Sequence, residues 1–435
     1  MYRKGTVALA VAAALGLPQA AGAQTQDEVR ALREQVRQLD RRVTDAEQAA
    51  IQASSRPASE SAMNPAVSVV LNGIYSNLSQ DPNTFRINGF VPTLGEVGPG
   101  VRGLSLGESE LAIAANIDHH FRGTLIASIT PEDTIGVEEG YIQTLSLSYG
   151  FTVMAGRFFS AVGYQNQIHA HAWDFTDAPL ANKVFLGSQL NEDGIQLKWV
   201  APTDIYFDVG VEVGRGRQFP AAAGPAGPRN KNGVGSGNVF AHLGGDLGTG
   251  VAWQTGVSYL STSPQDRTFE DPTGTTNSSF TGQSRLWVLD GILKWAPNQN
   301  PTYTNFKLQG EYFRRKEDGD LTSGTTAQTG GFISVQSGWY LQGVYQFVPM
   351  WRVGYRYDRL DSGTTSFSTP LNAADFPILA AYNPTRHTVM VDWSPSEFSR
   401  IRLQAASDKS RSDATDHQVF LQYIVSLGAH GAHKF

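Results

Sequence analysis

The sequence predicts an all-β fold, a 16-stranded antiparallel transmembrane β-barrel preceded by a short α-helical coiled coil. Sixteen stretches of alternating apolar and polar residues run from about Ala66 to Leu427. Seven of the fifteen connections between them are very short, and these alternate strictly with eight longer ones. Bacterial outer-membrane barrels show this pattern, with short periplasmic turns and longer outer loops. The third observation is that tryptophans flank the short turns.

Residues 1–23 are predicted to be a secretory signal peptide. Arg3 and Lys4 form its basic start, Val7–Leu17 its apolar middle, and Ala21-Gly22-Ala23 a cleavage site. The alternative is a retained membrane anchor, for which the apolar run is short. The signal therefore predicts export from the cytoplasm.

The composition argues against several classes of function. Without Arg3 and Lys4, 32 basic residues stand against 40 acidic ones, a net charge of −8, which disfavours nucleic acid as a partner. The chain has no cysteine, so disulfides and thiolate metal sites are excluded. It also lacks an H-E-x-x-H motif. We expect no enzyme, no catalytic residue and no cofactor, with a Ser–His–acid set at the barrel rim as the open alternative.

Residues 24–52 are predicted to form a periplasmic coiled coil. Opposite charges flank its apolar stripe, Glu28 with Arg33 and Arg42 with Glu47. The stripe has spacings of three and four and consists of Val29, Leu32, Val36, Leu39, Val43, Ala46 and Ala50. A lone helix of this length is marginal in water, so we expect self-association. Packing on the chain's own barrel is the alternative, and valine with leucine in the stripe nominally favours two strands over three.

Residues 53–65 read as a Ser/Ala/Pro-rich linker, and residues 66–435 as the barrel. Each strand places apolar side chains on one face and polar ones on the other, because successive side chains alternate. One strand shows this clearly, with Phe306, Leu308 and Tyr312 alternating with Lys307, Gln309 and Glu311. In a membrane barrel the apolar face meets lipid and the polar face lines the lumen. A soluble β-sandwich is the alternative fold.

The aromatic residues favour the membrane barrel over the sandwich. Those beside short turns are Trp199, Trp295, Trp351, Trp393, Phe151, Phe347 and Phe398. A belt of such rings at one end of the strands is typical of a membrane–water boundary. The short turns are predicted near residues 116–119, 148–151, 201–204, 247–251, 297–302, 347–351 and 394–397. The longer loops are predicted near residues 79–106, 131–134, 159–188, 216–235, 263–281, 317–328, 363–384 and 410–413.

With its strands counted, the chain resembles 16-stranded bacterial porins. The heptad helix ahead of the barrel is similar to that of the DcaP-like trimeric porins and, more distantly, to the phosphate-selective porins O and P. Segments such as GESELAIAANIDHHFRG and GRFFSAVGYQNQIHAHAWDF also look like uncharacterised outer-membrane proteins labelled zinc-regulated or TonB-dependent receptors. A TonB-dependent transporter has a plug and 22 strands, whereas this barrel follows a helix and a linker.

The porin resemblance implies a constriction after the fifth strand, where the third outer loop of such porins folds into the lumen. The residues that would narrow the pore are His169, His171, Asp174 and Asp177. Apolar residues in the same stretch, among them Trp173 and Phe185, support a loop that packs inside. The alternative is a loop folded over the rim or into a subunit contact.

Basic residues of the later strands share one strand face, since they lie an even number of residues apart. They are Lys307, Arg315, Arg352, Arg356, Arg400 and Arg402. We expect a basic wall that faces the acids of the constriction loop and orients anionic or zwitterionic solutes. In the alternative, these groups pair with the pore-lining acids Glu311, Asp358 and Asp392, which leaves little charge preference.

The histidines suggest a metal site as a weaker hypothesis. His169 and His171 are spaced to face one way, with Asp174 and Asp177 near, and imidazole and carboxylate suit zinc. His119, His120, His430 and His433 are expected at the periplasmic end. Without a third fixed ligand, polar loop histidines are the alternative.

The sequence therefore predicts an outer-membrane porin for passive diffusion of small hydrophilic solutes, anionic ones included. We expect a homotrimer held by coiled coil and barrel walls, embedded in outer-membrane lipid with its N-terminal helix in the periplasm. Two other functions stay open. One is an uptake channel or receptor for zinc or another metal ion, and the other is a structural tether between outer membrane and cell wall.

Overall fold

The computed structural model describes residues 65–93, 97–130, 134–222, 232–270, 277–297 and 300–428. The predicted signal peptide, the coiled coil, all but the last residue of the linker, and the C-terminal Phe435 lie outside the described residues.

Antiparallel strands make up most of the described chain. They are β1 (Ala66–Leu78), β2 (Gly103–Leu106), β3 (Ser109–Asn116), β4 (Phe121–Ile129), β5 (Ile135–Thr144), β6 (Phe151–Phe159), β7 (Asn191–Val200), β8 (Tyr206–Gly214), β9 (Ser236–Leu247), β10 (Val251–Thr262), β11 (Arg267–Glu270), β12 (Asn277–Trp295), β13 (Asn305–Thr322), β14 (Thr329–Val348), β15 (Trp351–Phe367), β16 (Thr385–Ser396), β17 (Ser399–Lys409) and β18 (Asp416–Gly428).

These segments form one closed barrel of sixteen strands. β2 and β3 both pair with β1, and their pairing registers differ by one residue. They are therefore two parts of one barrel strand. β10 and β11 likewise both pair with β12. β18 pairs with β1 from Ser68–Gly428 to Leu78–Gln418, which closes the ring and removes any free sheet edge. The predicted 16-stranded antiparallel barrel is confirmed.

The outer face of the barrel is apolar and exposed. On β12, Trp287 and Leu289 are 52% and 53% exposed on the outer face. Val288, which lies between them, and Asp290, which follows, point inward and are buried. The same alternation continues around the ring, where exposed leucines, valines and aromatics point outward. Such a continuous exposed apolar surface requires a lipid environment, because its contact with water is unfavourable.

All seven short turns lie where the sequence predicts them, between β3 and β4 and then at every second connection to β16–β17. Trp295, Trp351 and Trp393 beside these turns are 37–41% exposed. The rings of Trp351 and Trp393 stack with centroids 6.0 Å apart. The aromatic side chains thus gather at the short-turn end of the barrel.

Four of the predicted longer loops are wrong in part, because they contain strand segments. Strand β2 occupies the last four residues of 79–106, β11 and the start of β12 lie within 263–281, and β15 continues to Phe367 within 363–384. Residues 317–328 were expected to form a loop, but β13 continues to Thr322. Strands β12–β15 have 17–20 residues each, more than the about 9–11 residues that cross a bilayer. The acidic residues at the end of β13 can form a strand because Glu317 points inward and pairs with Arg267, whereas Asp318 and Asp320 are exposed on the outer face.

The barrel interior contains an apolar core as well as polar groups, which the expectation of a wholly polar inner face did not include. The helix α1 (Leu180–Leu186) packs its Phe185 and Val184 against inward residues of β12–β15, among them Phe313 and Leu360. Phe90, from the loop after β1, meets Phe185 edge-on at 5.9 Å. Inward positions of these long strands therefore hold a helix, not water alone.

Short 3-10 turns complete the described secondary structure. They lie at Pro82–Thr84, Ser148–Gly150, Gln165–Gln167, Ala170–Ala172, Ala373–Asp375 and Pro377–Leu379. Among the residues that the structure describes, every helix is too short or too polar to span a membrane.

Candidate functional site

Residues 160–190, between β6 and β7, fold into the barrel and are called the inner loop. Its two ends lie side by side, where the amide of Ser160 donates to the carbonyl of Leu190 at 3.0 Å. Asn166 is fully buried, and its Nδ2 donates to the carbonyls of Ser160 and Leu190 at 2.7 and 2.9 Å. These bonds hold the two ends of the inner loop together where β6 ends and β7 begins.

The first part of the inner loop is fixed by carboxylates on the wall. Glu212 of β8 accepts from the Ser160 hydroxyl at 2.5 Å and from the Ala161 amide at 2.8 Å. Glu311 of β13 accepts from the Gln165 amide at 3.0 Å. Gly163 has φ +71°, and a Cβ there would lie 2.5 Å from Glu311 Oε1, so only glycine fits this approach.

The middle of the inner loop reaches an acidic site on β3 and β5. Nδ1 of His169 lies 3.3 Å from Glu110 Oε2 and 3.4 Å from Glu138 Oε2, and its Nε2 lies 3.0 Å from Glu139 Oε2. Nδ1 of His171 lies 2.7 Å from the other oxygen of Glu110. Both predicted loop histidines therefore face glutamates of the barrel wall.

A β-bulge creates this acidic site. Ile126 of β4 pairs with Glu139 of β5, but the next residue, Ala127, pairs with Val137. Glu138 is thus the extra residue, and both it and Glu139 turn inward and are buried at 7% and 9% exposure. Burial alone would lower the pKa of His169, but Glu110, Glu138 and Glu139 together raise it well above its usual range.

Asp174 contacts the opposite side of the barrel. It pairs with Lys307 of β13 and with Arg352 of β15 at 3.2 Å, and it accepts from Gln342 of β14 at 3.3 Å. Burial would raise the pKa of Asp174, but Lys307 and Arg352 hold it well below its usual range. The carboxylate is therefore ionised and fixed among cations.

Asp177 is the centre of a second ion-pair group. It pairs with Arg386, with Arg356 at 3.1 Å and with Lys183 of α1 at 3.3 Å, and it accepts from Gln404 at 3.0 Å. Its own burial would raise the pKa, but these cations hold the pKa of Asp177 well below its usual range. This group ties the inner loop to β15, β16 and β17.

The inner loop crosses the lumen. In the ring of sixteen, β5 is the fourth barrel strand and β14 the twelfth, so eight steps separate them in either direction. His169 contacts β5 through Glu139, and Asp174 contacts β14 through Gln342. The segment between these residues therefore bridges opposite walls, and solute that traverses the barrel must pass beside it.

The structure corrects the expected pairing of histidines with aspartates. The weaker hypothesis grouped His169 and His171 with Asp174 and Asp177 around a metal, but the histidines face β3 and β5 while the aspartates face cations of β13–β17. The reason is that the loop crosses the lumen between His171 and Asp174.

The six basic residues predicted to form one wall divide into two groups. Arg315 and Arg356 point inward but are 0% and 1% exposed beneath α1 and the inner loop, so the expectation that they meet lumen water is wrong. Two expected pore-lining acids are covered as well. Glu311 binds loop amides, and Asp358 accepts from the Leu180 amide at 2.9 Å and from Arg356.

The other basic residues form a patch near the short-turn end, called the basic patch. Its members are Lys294, Lys307, Arg352, Arg400 and Arg402. Lys294 lies directly across from Lys307, and Arg352 and Arg402 each lie across from Asp392. All but Arg402 are partly exposed. Lys307, Arg352 and Arg402 contact the carboxylates of Asp174 and Asp392. Five cations and these two carboxylates leave the patch with a net charge of +3.

Sequence reasoning missed Glu110, Glu138, Glu139, Lys294 and Arg386. The Glu138-Glu139 doublet is visible in the sequence, but regular alternation places one of the two outside. Lys294 has the strand parity of Asp290 and Ile292 and could have been found from it.

The sequence also contains a G-x-S-x-G pattern at Gly103–Gly107. Ser105 lies on β2 opposite Ile74, so this pattern does not form the strand-to-helix turn of a hydrolase nucleophile.

No family model matches the chain. An uncharacterized protein of Aquifex aeolicus is 31% identical over 350 residues, which cover 77% of this chain and 70% of that protein.

Several solved structures share the barrel at low sequence identity. OmpT, an outer membrane protein of Vibrio cholerae, matches as its loop L8 deletion mutant with TM-score 0.53 and in its trimer form with 0.50, both at 10% identity over 84% of this chain and 99% of that one. OprB of Pseudomonas putida matches with TM-score 0.51 and 12% identity over 85% and 95% of the two chains. The outer membrane channel DcaP of Acinetobacter baumannii matches with TM-score 0.46 and 12% identity over 83% and 97%. The chain has the fold of outer-membrane barrels.

Proposed function

The chain belongs to the same family as the uncharacterized Aquifex aeolicus protein, and from its barrel we propose that it is an outer-membrane porin. It lets small hydrophilic solutes diffuse passively and favours anions. One observation carries this proposal. The strands form a closed barrel with polar groups on its inner face, and one loop of the same chain crosses that interior from wall to wall. No bond is made or broken in this function, and no energy source is needed.

Anion preference follows from the basic patch. Lys307 and Arg352 retain 22% and 21% side-chain exposure, so their charges reach the lumen although both contact Asp174. With a net charge of +3, the patch attracts anions into a narrow, weakly screened passage. Carboxylate and phosphate groups suit the guanidinium of Arg352 in particular.

The assembly that we propose is a homotrimer in the outer membrane, with the heptad segment 24–52 as a periplasmic coiled coil. The heptad pattern of that segment and the exposed apolar outer wall support it. OmpT of Vibrio cholerae, which shares the barrel fold, is described in a trimer form. Native mass spectrometry of the detergent-solubilised chain tests this stoichiometry, and a variant lacking residues 24–52 separates the contribution of the coiled coil.

Planar-bilayer recording tests the function. We expect insertion events that raise the current in groups of three equal steps, and a reversal potential of anion-selective sign in a salt gradient. A folded protein that never conducts would contradict the porin proposal and leave the tether. Ohmic conductance with cation selectivity would contradict only the role of the basic patch.

A further inference from the structure

We propose that Glu110, Glu138 and His169 form a binding site for one divalent transition-metal cation of the zinc class. The three ligand atoms, one oxygen from each glutamate and Nδ1 of His169, all lie within 4.8 Å of one another. The site joins β3 and β5 of the wall to the inner loop. It does not depend on whether the barrel conducts.

The distances fit a tetrahedral ion. Metal–ligand bonds of about 2.0–2.2 Å place neighbouring ligand atoms of a zinc tetrahedron about 3.4 Å apart. Nδ1 of His169 lies 3.3 Å from Glu110 Oε2 and 3.4 Å from Glu138 Oε2. Both edges that meet at the imidazole therefore have the length that a shared zinc ion requires.

Unpartnered buried atoms point into the same space. Oε2 of Glu138 and Nδ1 of His169 are buried, and neither makes a hydrogen bond to any residue that the structure describes. The Glu138 side chain is 7% exposed. The contact with His169 at 3.4 Å leaves this buried carboxylate oxygen without a hydrogen bond, which is costly away from water. A cation between these atoms would satisfy both.

The surrounding residues hold the ligands in the orientation that a metal needs. Nε2 of His169 lies 3.0 Å from Glu139 Oε2, and Glu139 Oε1 accepts from the Phe159 amide at 3.1 Å. Metal-binding histidines almost always have such a carboxylate on the far nitrogen, which fixes the ring and its tautomer. Glu110 is similarly held by His171 at 2.7 Å through its second oxygen.

Charge and ligand type select the ion. Two glutamates and an imidazole that has released its Nδ1 proton balance the two positive charges of Zn²⁺, so the metal takes the place of the proton that the glutamates otherwise hold on His169. An imidazole ligand disfavours Mg²⁺ and Ca²⁺, which prefer oxygen ligands in larger number. Regular pairing would place the Glu138 side chain outside the barrel, so the bulge is what brings it into the site.

Zinc binding by the full-length chain in detergent tests the site. The protein is produced without a polyhistidine tag, stripped with EDTA, and titrated with ZnCl₂ against a fluorescent chelator, with metal content read by mass spectrometry. We expect one tightly bound zinc per chain in the wild type. Glu138→Gln and His169→Gln should each weaken binding by more than the about 10- to 100-fold that loss of an outer carboxylate causes, and Glu139→Gln by about that amount.

Asp208→Asn is the matched control. Asp208 forms another buried histidine–carboxylate contact, with His242 at 2.7 Å, but has no third ligand group in the described part of the chain. Zinc affinity should be unchanged in this variant and in a His119→Gln/His120→Gln/His430→Gln/His433→Gln variant, which removes surface and terminal histidines.

Each result decides the proposal. Heat-modifiable mobility on gels shows that every variant still forms the barrel, and X-ray absorption should show only nitrogen and oxygen neighbours at about 2.0–2.1 Å. A stripped wild type that takes up no zinc would overturn the proposal. Equal affinity in wild type, Glu138→Gln and His169→Gln would also overturn it. So would loss of zinc binding in the variant that replaces the surface and terminal histidines.

Discussion

Arg267 and Glu317 form a two-pronged ion pair inside the barrel, at 2.7 and 3.0 Å, with both side chains fully buried. The guanidinium lies between the rings of Phe219 and Phe280, 4.9 Å from each centroid. Arg315 approaches the same carboxylate at 3.9 Å. Glu317 is thus the carboxylate that balances two buried arginines.

Replacing Glu317 with glutamine leaves Arg267 and Arg315 buried without a counter-charge. We expect Glu317→Gln to lower the free energy of unfolding by about 3–5 kcal/mol, the usual result of removing one partner of a buried ion pair. Guanidinium unfolding in detergent measures it. Asp318→Asn, one residue on and exposed, is the control and should change stability by less than about 0.5 kcal/mol. Similar losses in both variants would refute the buried network.

Asp177 is the strongest attachment of the inner loop to the wall. Asp177→Asn should release the loop from Arg356, Arg386 and Lys183, because three cations would lose their shared carboxylate at a cost of about 3–5 kcal/mol. We expect larger and noisier single-channel conductance and faster entry of larger sugars in a liposome-swelling assay. Asp320→Asn, exposed on β13, should leave both unchanged. Wild-type conductance in Asp177→Asn would show that the loop does not control passage.

The Asp177 attachment should resist acid. Because the cations hold the pKa of Asp177 well below the ordinary 3.8, its contribution to stability is complete above that value and is lost only as pH falls through the lower folded pKa. We expect the size of the open channel to stay constant from pH 7 down to about pH 4. A conductance that rises between pH 6 and 5 would show that a contact other than Asp177 holds the inner loop in place.

Anion preference should depend on Arg352. Arg352→Glu changes the net charge of the basic patch from +3 to +1, so the reversal potential in a KCl gradient should shift toward that of a non-selective pore. Lys294→Gln should shift it less, since only one charge is removed. Arg314→Gln lies on the outer face of β13 and serves as control. An unchanged reversal potential in Arg352→Glu would place the selective charges elsewhere.

Contact with lipid can be tested on β12. Leu289 is exposed on the outer face, so Leu289→Lys places a charge against hydrocarbon and should lower stability by about 2–4 kcal/mol near the bilayer centre. Gln283 lies on the same outer face, six residues closer to the loop end of this long strand. Gln283→Lys should have almost no effect in equilibrium unfolding from lipid vesicles. Equal effects would contradict the membrane position of β12.

The strands, their number and their short turns could be predicted because both alternate faces and turn residues are local properties of the chain. Phe306, Lys307 and Leu308 show their faces directly in the sequence. The apolar residues of the inner loop, such as Phe185, likewise indicated a loop that packs inside.

The acidic site and the fate of the basic residues could not be predicted in this way. The bulge at Glu138 depends on a register shift against β4, which a single strand does not display. Arg315 and Arg356 have the inward parity that was expected, but only the folded chain shows that α1 and the inner loop cover them. Parity tells which way a side chain points and not what lies there.

The inner loop leaves and rejoins the barrel at neighbouring backbone positions, Ser160 and Leu190, whose amide and carbonyl are bonded to each other. Its length and sequence can therefore change without displacing β6 or β7. Exchange of this single insert can thus widen the bore while the sixteen strands around it keep their register.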